Sequence, residues 1–198
     1  AALNQDLSIA SAEPFARVLA EMFGTEAAAA TIVLPARPLH EMYAEPARRF
    51  IEARGGTVRT GMTARVTIAD GAARVTSGDE HWTPSCVIAA VPWFAVPALF
   101  DGDVSPLDGV IDAARGTAPS PIVTVNLWYD RAVMDEAFVG LPGRLMQWVF
   151  DKRAVLGAEA SHLSLVSSGA ADVLRWTNPD LIARATSEVA EALPRAAD

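Results

Sequence analysis

Between Cys86 and Trp93 the chain reads Cys-Val-Ile-Ala-Ala-Val-Pro-Trp, an apolar run of small and β-branched residues stopped by a proline and an aromatic. A short continuous apolar run bounded by turn residues predicts a strand buried on both faces, here Val87 to Val91, as in a parallel sheet. Upstream, a helical pattern ends at Gly55-Gly56 and is followed by a predicted short strand, Thr57-Val58-Arg59-Thr60.

The segments around this run have their own signals. Ser11 is a plausible N-cap with Pro14 in the first turn, and Phe15, Val18, Leu19 and Met22 repeat at helical spacing before Gly24. Ala27 to Ala30 reads as helix or packed connector. A second helix carries Leu39, Met42, Tyr43, Phe50 and Ile51; Pro46 inside it predicts a kink or a restart at Glu45. Ala64, Val66 and Ile68 alternate with Arg65 and Thr67. Asp70-Gly71 is a hairpin signal, and Ala73 and Val75 lie on the return strand. Trp82 precedes a turn, and Phe94 to Phe100 reads as a short helix. The proline-bearing stretch 101–121 reads as a connection with one helical segment. Three strands follow, Ile122–Tyr129, Met146–Phe150 and Leu163–Ser167, in an order that suits an antiparallel meander. A last helix is expected from Pro179, capped by Asn178, with Leu181, Ile182, Ala185, Val189 and Leu193 on one face.

Composition bounds the class. With 198 residues, 51% of them hydrophobic and 20% charged, the chain is globular. A net charge of −8 argues against nucleic acid, which demands a basic footprint. The single cysteine, Cys86, excludes an internal disulfide and suits a reducing cytosol; its apolar neighbours predict a buried structural thiol. No run is long enough for a membrane span, and no signal peptide is recognisable. The N-terminal Ala1-Ala2-Leu3-Asn4 enters as if mid-element, so the chain reads as a piece of a larger protein.

The chemistry-bearing residues give few site patterns. Gly55-Gly56 follows a helix, whereas a phosphate-cradling loop follows a strand and opens a helix; a C-cap is the expected role. Neither G-x-G-x-x-G nor G-x-x-x-x-G-K-[ST] occurs. His40, His81 and His162 have no ligand partner at metal spacing, so surface or capping roles are expected and no metal site is predicted. Ser167-Ser168-Gly169 does not form a nucleophile elbow. Glu41 and Glu45, one helical turn apart, read as a solvated face. On the sheet, Ile122, Thr124, Asn126 and Trp128 point one way and Val123, Val125, Leu127 and Tyr129 the other; Met146, Trp148 and Phe150 share a face. Two tryptophans on neighbouring strands then line an apolar pocket with Asn126 or Gln147 as polar markers, against the alternative of ordinary core packing. Helix, strand, hairpin and a buried strand ending at a small-residue crossing is an order found in part of a dinucleotide-binding domain.

Taken together these segments resemble the FAD-dependent amine oxidase and phytoene desaturase superfamily. Within it they look most like the squalene-associated FAD-dependent desaturases, the hydroxysqualene dehydroxylases. The matching pieces are Ala2-Leu3-Asn4 with Ala10-Ser11-Ala12, the segment Leu39 to Ala47, Arg54 to Val58, Val87 to Trp93, Ser120 to Asp130, Phe138 to Leu141, and Gln147 to Asp151. The Asn-Leu-Trp-Tyr-Asp and Gln-Trp-Val-Phe-Asp segments are the more specific.

The resemblance implies an α+β fold, a fragment of an α/β FAD-binding fold joined to a mostly antiparallel substrate-domain sheet with flanking helices. Residues 1–56 would be a helical segment, 57–93 a partial FAD-binding domain and 94–198 the substrate domain. FAD would be the cofactor of the intact protein, contacted at Val66 and along Ala89, Ala90, Val91 and Pro92. Asn126, Trp128, Gln147 and Trp148 would line the substrate pocket. The resemblance names no catalytic residue. It implies reductive loss of a hydroxyl from hydroxysqualene, with a carotenoid desaturase or flavin amine oxidase, or a non-catalytic lipid- or partner-binding module, as rivals. The glycine-rich loop and the C-terminal flavin segment of the family are missing, which puts FAD retention by this chain in doubt. The expected setting is cytoplasmic, with peripheral membrane contact that no basic amphipathic helix supports, and the isolated chain is expected to form homodimers.

Overall fold

The computed structural model describes Gln5 and residues 9–197. The Ala2-Leu3-Asn4 piece of the resemblance lies outside the described residues. In chain order the helices are α1 (Ala12–Met22), α2 (Glu45–Glu52), α3 (Val96–Leu99), α4 (Asp108–Gly116), α5 (Arg153–Leu156) and α6 (Asn178–Ala192). The strands are β1 (Arg65–Ala69), β2 (Ala72–Ser77), β3 (Glu80–Trp82), β4 (Phe100–Gly102), β5 (Ile122–Trp128), β6 (Phe138–Gly140), β7 (Trp148–Asp151) and β8 (His162–Ser168). The fold is α+β, with its strands in two separate sheets. The chain divides into two compact units: Arg48–Pro119, and the remainder on either side of it.

The Arg48–Pro119 unit holds the first sheet, ordered β3-β2-β1-β4. Asp70 and Gly71 both take positive φ, 51° and 74°, and close the β1–β2 hairpin at the Ala69–Ala72 pair, as the Asp-Gly signal predicts. β4 pairs parallel to β1, Val66 opposite Phe100. Gly102 ends it with φ 84°; a Cβ there would lie 2.4 Å from the Ile68 carbonyl oxygen, so only glycine permits this approach. A small core of Val96, Ile111 and Ala114, with Phe100, Val104 and Leu107, packs α3 and α4 together.

Gly55-Gly56 closes α2 as expected. The Gly56 amide donates to the Ile51 carbonyl and the Gly55 amide to that of Glu52, with Gly55 at φ 79°, which is a Schellman cap. Pro46 also acts as predicted. It lacks an amide and its ring crowds the carbonyl four residues earlier, so a wide π turn, His40–Ala44, precedes α2 and the α-helix restarts at Glu45.

Two strand predictions here are corrected. Neither Thr57–Thr60 nor Val87–Val91 forms a strand. Ile88 is 90% exposed, and Cys86 is exposed rather than buried. A doubly buried strand needs a neighbour on each edge and a cover on each face. β1 already has β2 and β4 as its neighbours, and among the described residues the 87–91 run has no strand partner. The 94–100 helix is also shorter than expected: Trp93–Ala95 is a 3₁₀ turn, α3 covers Val96–Leu99, and Phe100 starts β4.

The other unit holds the second sheet, ordered β5-β8-β7-β6. All its pairings are antiparallel, but this corrects the expected meander. The last strand inserts between β5 and β7, and the short β6 is added at the edge. Insertion satisfies β8 on both edges with buried Leu163 and Leu165 at its centre, whereas β5 against β7 would leave that apolar strand at the rim. Met146 also departs from expectation. It precedes β7 and is fully buried in the core instead of sharing a face with Trp148 and Phe150.

α6 covers one face of this sheet. Ala185 and Val189, both 0% exposed, pack on Val125, Val149, Leu163 and Leu165. Its N-cap is Thr177, not Asn178: the Thr177 hydroxyl accepts from the Asp180 amide, because Pro179 at the second position fixes the first turn one residue earlier than expected. Ile182 is 49% exposed and lies off the packed face. Glu188 is buried, and its carboxylate accepts from the amides of Leu145 and Met146 and from Arg184, tying α6 to the turn before β7. α1 forms where predicted, but Phe15, Leu19 and Met22 remain partly exposed on it. Among the described residues no helix is long and apolar enough to cross a membrane.

Candidate functional site

The register of the second sheet decides which residues meet. Asn126 pairs with Ser164, Trp128 with His162, Phe150 with Ser164 and Trp148 with Val166. Side chains alternate along a strand, so Asn126, Trp128, His162, Ser164, Trp148 and Phe150 all share the face opposite α6. The two tryptophans predicted to line a pocket are therefore on one face, but on strands separated by β8 rather than on neighbours. β7 and β6 contribute an aromatic cluster. Phe138 lies 5.8 Å from Phe150 and 6.0 Å from Trp148 between ring centroids, and Trp148 covers Gly140.

The β5–β8 end of this face carries a polar group. Asn126 Oδ1 faces His162 Nε2 at 3.1 Å and accepts weakly from Lys152 Nζ at 3.5 Å. Trp128, 71% exposed, stacks on the His162 ring with centroids 4.6 Å apart. Burial pushes the His162 pKa below 6.5, the Lys152 ammonium pushes the same way, and Asp151 opposes them. Neutral imidazole has one N–H, and placing it on Nε2 makes it a donor to Asn126. Gln147 has a different task. Its amide donates to the Ser168 carbonyl and accepts from the Ser168 amide, extending the β7–β8 ladder.

A cavity of about 450 Å³ adjoins this face. It is lined by the Leu34–His40 segment on one side and by Ala137, Phe150, Asp151, Lys152, Val155, Leu156 and Ser164 on the other. Among the described residues the only acid in the lining is Asp151, whose side chain is 2% exposed. Its carboxylate accepts from the Ser161 hydroxyl at 2.7 Å and from the Arg153 amide at 3.0 Å, and pairs with Arg153 Nε. This network fixes the β7–α5 corner. In the sequence His162 reads as a surface or capping residue and Lys152 and Ser164 carry no signal, because their meeting depends on β8 lying beside β5, which no spacing along the chain shows.

In the Arg48–Pro119 unit, Val66 is 3% exposed and paired on both sides in β1. Ala90 and Pro92 are exposed, and Ala89 and Val91 line an apolar hollow of about 240 Å³ with Trp93, Val96, Phe100 and Ile111. His81 lies exposed on β3, and His40 lines the 450 Å³ cavity from the π turn. Among the described residues no group of three or more His, Cys, Asp or Glu is placed to hold a metal ion.

The class these elements define is an α+β fold with an open antiparallel sheet backed by one long helix. Among solved structures it is similar to putrescine oxidase. A single-substitution mutant of that enzyme, from a redesign of its cofactor binding, superposes with a TM-score of 0.62 at 20% identity, covering 78% of this chain and 36% of that one. The putrescine-bound wild type gives 0.61 at 18% identity over the same shares. A double mutant from the same redesign gives 0.60 at 16% identity, covering 75% and 34%. The chain thus spans about a third of the length of these structures, and the likeness is one of fold. No family model matches the chain. No curated protein matches it either.

Proposed function

We propose that this chain is the central part of a flavin-dependent oxidoreductase acting on a long apolar isoprenoid, with hydroxysqualene to squalene as its reaction. The observation that carries the reading is the sheet face opposite α6, where Trp128, Trp148, Phe138 and Phe150 flank a small polar group on a putrescine-oxidase-like fold. An apolar surface with a few convergent polar atoms suits a hydrocarbon bearing one oxygen. In net terms a hydride, which reduced flavin would supply and an external electron donor renew, replaces the hydroxyl on carbon, and the hydroxyl leaves as water with one added proton.

FAD, when bound, supplies the hydride chemistry. Within this chain the residues proposed to contact it are Val66 and Ala89 to Pro92. Ala89 and Ala90 are exposed and carry the shortest side chains that still have a Cβ, so a planar group can approach the backbone there. The pyrophosphate has no cradle among these residues, since Gly55-Gly56 closes a helix. On the sheet, Trp128 holds the His162 ring, Asn126 Oδ1 holds the proton on Nε2, and the aromatic cluster orients the apolar chain. The proposed domains are the partial FAD domain 57–93, the substrate domain 94–198 and the helical segment before them.

The likeness to putrescine oxidase favours amine oxidation as a second reading. Against it stands Lys152, an ammonium that repels a cationic amine from the cavity beside the face. The intact protein is expected to copurify with FAD and to convert hydroxysqualene in preference to phytoene or putrescine. A colourless full-length protein that cannot be reconstituted with flavin sinks the redox reading, and turnover of putrescine alone moves it to the amine class.

A further inference from the structure

The 450 Å³ cavity has a charge pattern for which the redox reading names no ligand. Its walls are mainly apolar, with Leu34, Leu39, Phe150, Val155 and Leu156 among them. Two cations, Arg37 and Lys152, also line it. Among the described residues neither has a carboxylate within ion-pair distance. Among the described residues the Lys152 ammonium makes one hydrogen-bond contact, to Asn126 Oδ1 at 3.5 Å, at the outer limit of a hydrogen bond. An ammonium carries three donors, so most of its capacity is unspent. Asp151, an acid of the lining, is already consumed by Ser161 and Arg153. In a chain of net charge −8, this cavity is a local reversal of sign. Its volume falls within the roughly 300–1,000 Å³ of small-molecule sites.

We propose that this cavity binds an amphiphile with an anionic oxygen head, a carboxylate or a phosphate monoester, the head held by Lys152 and Arg37 and the hydrocarbon tail by the leucines and Phe150. Such a head gives both cations charge-assisted hydrogen bonds, and the tail covers apolar wall that is otherwise wet. The site needs neither flavin nor redox chemistry.

The test is calorimetric titration of the full chain with dodecanoate, dodecyl phosphate, dodecanol and dodecylammonium, each below its micelle concentration. Both anions are expected to bind, the alcohol about tenfold or more weaker, and the ammonium weakest. The ratio of the two anions tells a carboxylate source from a phosphate one. Lys152→Met and Arg37→Met are each expected to weaken dodecanoate binding about tenfold and to leave dodecanol unchanged. Arg37 is exposed, so its substitution tests the site even where the Lys152 variant fails to fold. Raising the salt is expected to weaken the anions alone. Dodecanol binding as tightly as dodecanoate, a preference for dodecylammonium, or an Arg37→Met variant with unchanged dodecanoate affinity overturns the proposal.

Discussion

Asn126, His162 and Lys152 form the polar group of the sheet face opposite α6, and the protonation of His162 is open to measurement. His162 has its pKa lowered from 6.5 chiefly by burial, with Lys152 adding to the effect. Its ring signals should therefore titrate with a midpoint below 6.5 by NMR, and Lys152→Ala should move that midpoint upward without restoring it fully. A midpoint above 6.5 would mean the imidazolium is favoured in the fold. The sign of the linked stability follows. Between the folded midpoint and 6.5 the unfolded chain binds more protons, so this contribution is complete above 6.5 and is lost as pH falls through that window. Gly102 is the other residue with a sharp consequence. Its positive φ and the approach of its Cα to the Ile68 carbonyl exclude a Cβ, so Gly102→Ala should cost about 1–3 kcal/mol in denaturant unfolding. Gly109→Ala, where nothing lies within 4 Å of the added carbon, is the matched control and should be neutral or stabilising.

Among elements, α6 and the second sheet depend on each other. The helix supplies Ala185 and Val189 to the core, and its buried Glu188 satisfies two amides of the turn that leads into β7. Glu188→Ala removes those acceptors and leaves both amides without their partner, so a loss of about 3 kcal/mol is expected in chemical denaturation. Glu188→Gln keeps an acceptor and should cost less; equal costs would show that charge, not hydrogen bonding, matters here. The elements that local rules define were legible in the sequence. The Asp70-Gly71 hairpin, the Gly55 cap, the restart at Glu45 and the alternation of Ile122 to Tyr129 depend only on neighbouring residues. The β5-β8-β7-β6 order was not legible, because any strand can pair with any other until a core chooses. The same reason separates the candidate residues. Alternation put Asn126 with Trp128 on one face of β5 and Trp148 with Phe150 on one face of β7, whereas bringing His162 and Lys152 to Asn126 needed the pairing of β5 with β8.

Across the whole molecule, much apolar surface stays in contact with water. Ile88, Val33, Phe23, Trp128 and Phe94 are each at least two-thirds exposed. Surface of this kind drives association. Light scattering of the chain is expected to show dimers or larger species whose mass grows with concentration, and a monomer at every concentration would count against this. What the sequence by itself determined is the set of local pieces, since turn chemistry, caps and period-two alternation act over a few residues. It also specified the run from Cys86 to Trp93 as apolar, but not its state. A strand with two apolar faces is buried only when other strands and layers arrive to pair and cover it, and within Arg48–Pro119 those places are held by β2 and β4. Pairing over distance is a property of the assembled tertiary structure. It decided that Val87–Val91 remains open, that β8 is central, and that Asn126, His162 and Lys152 meet on one face.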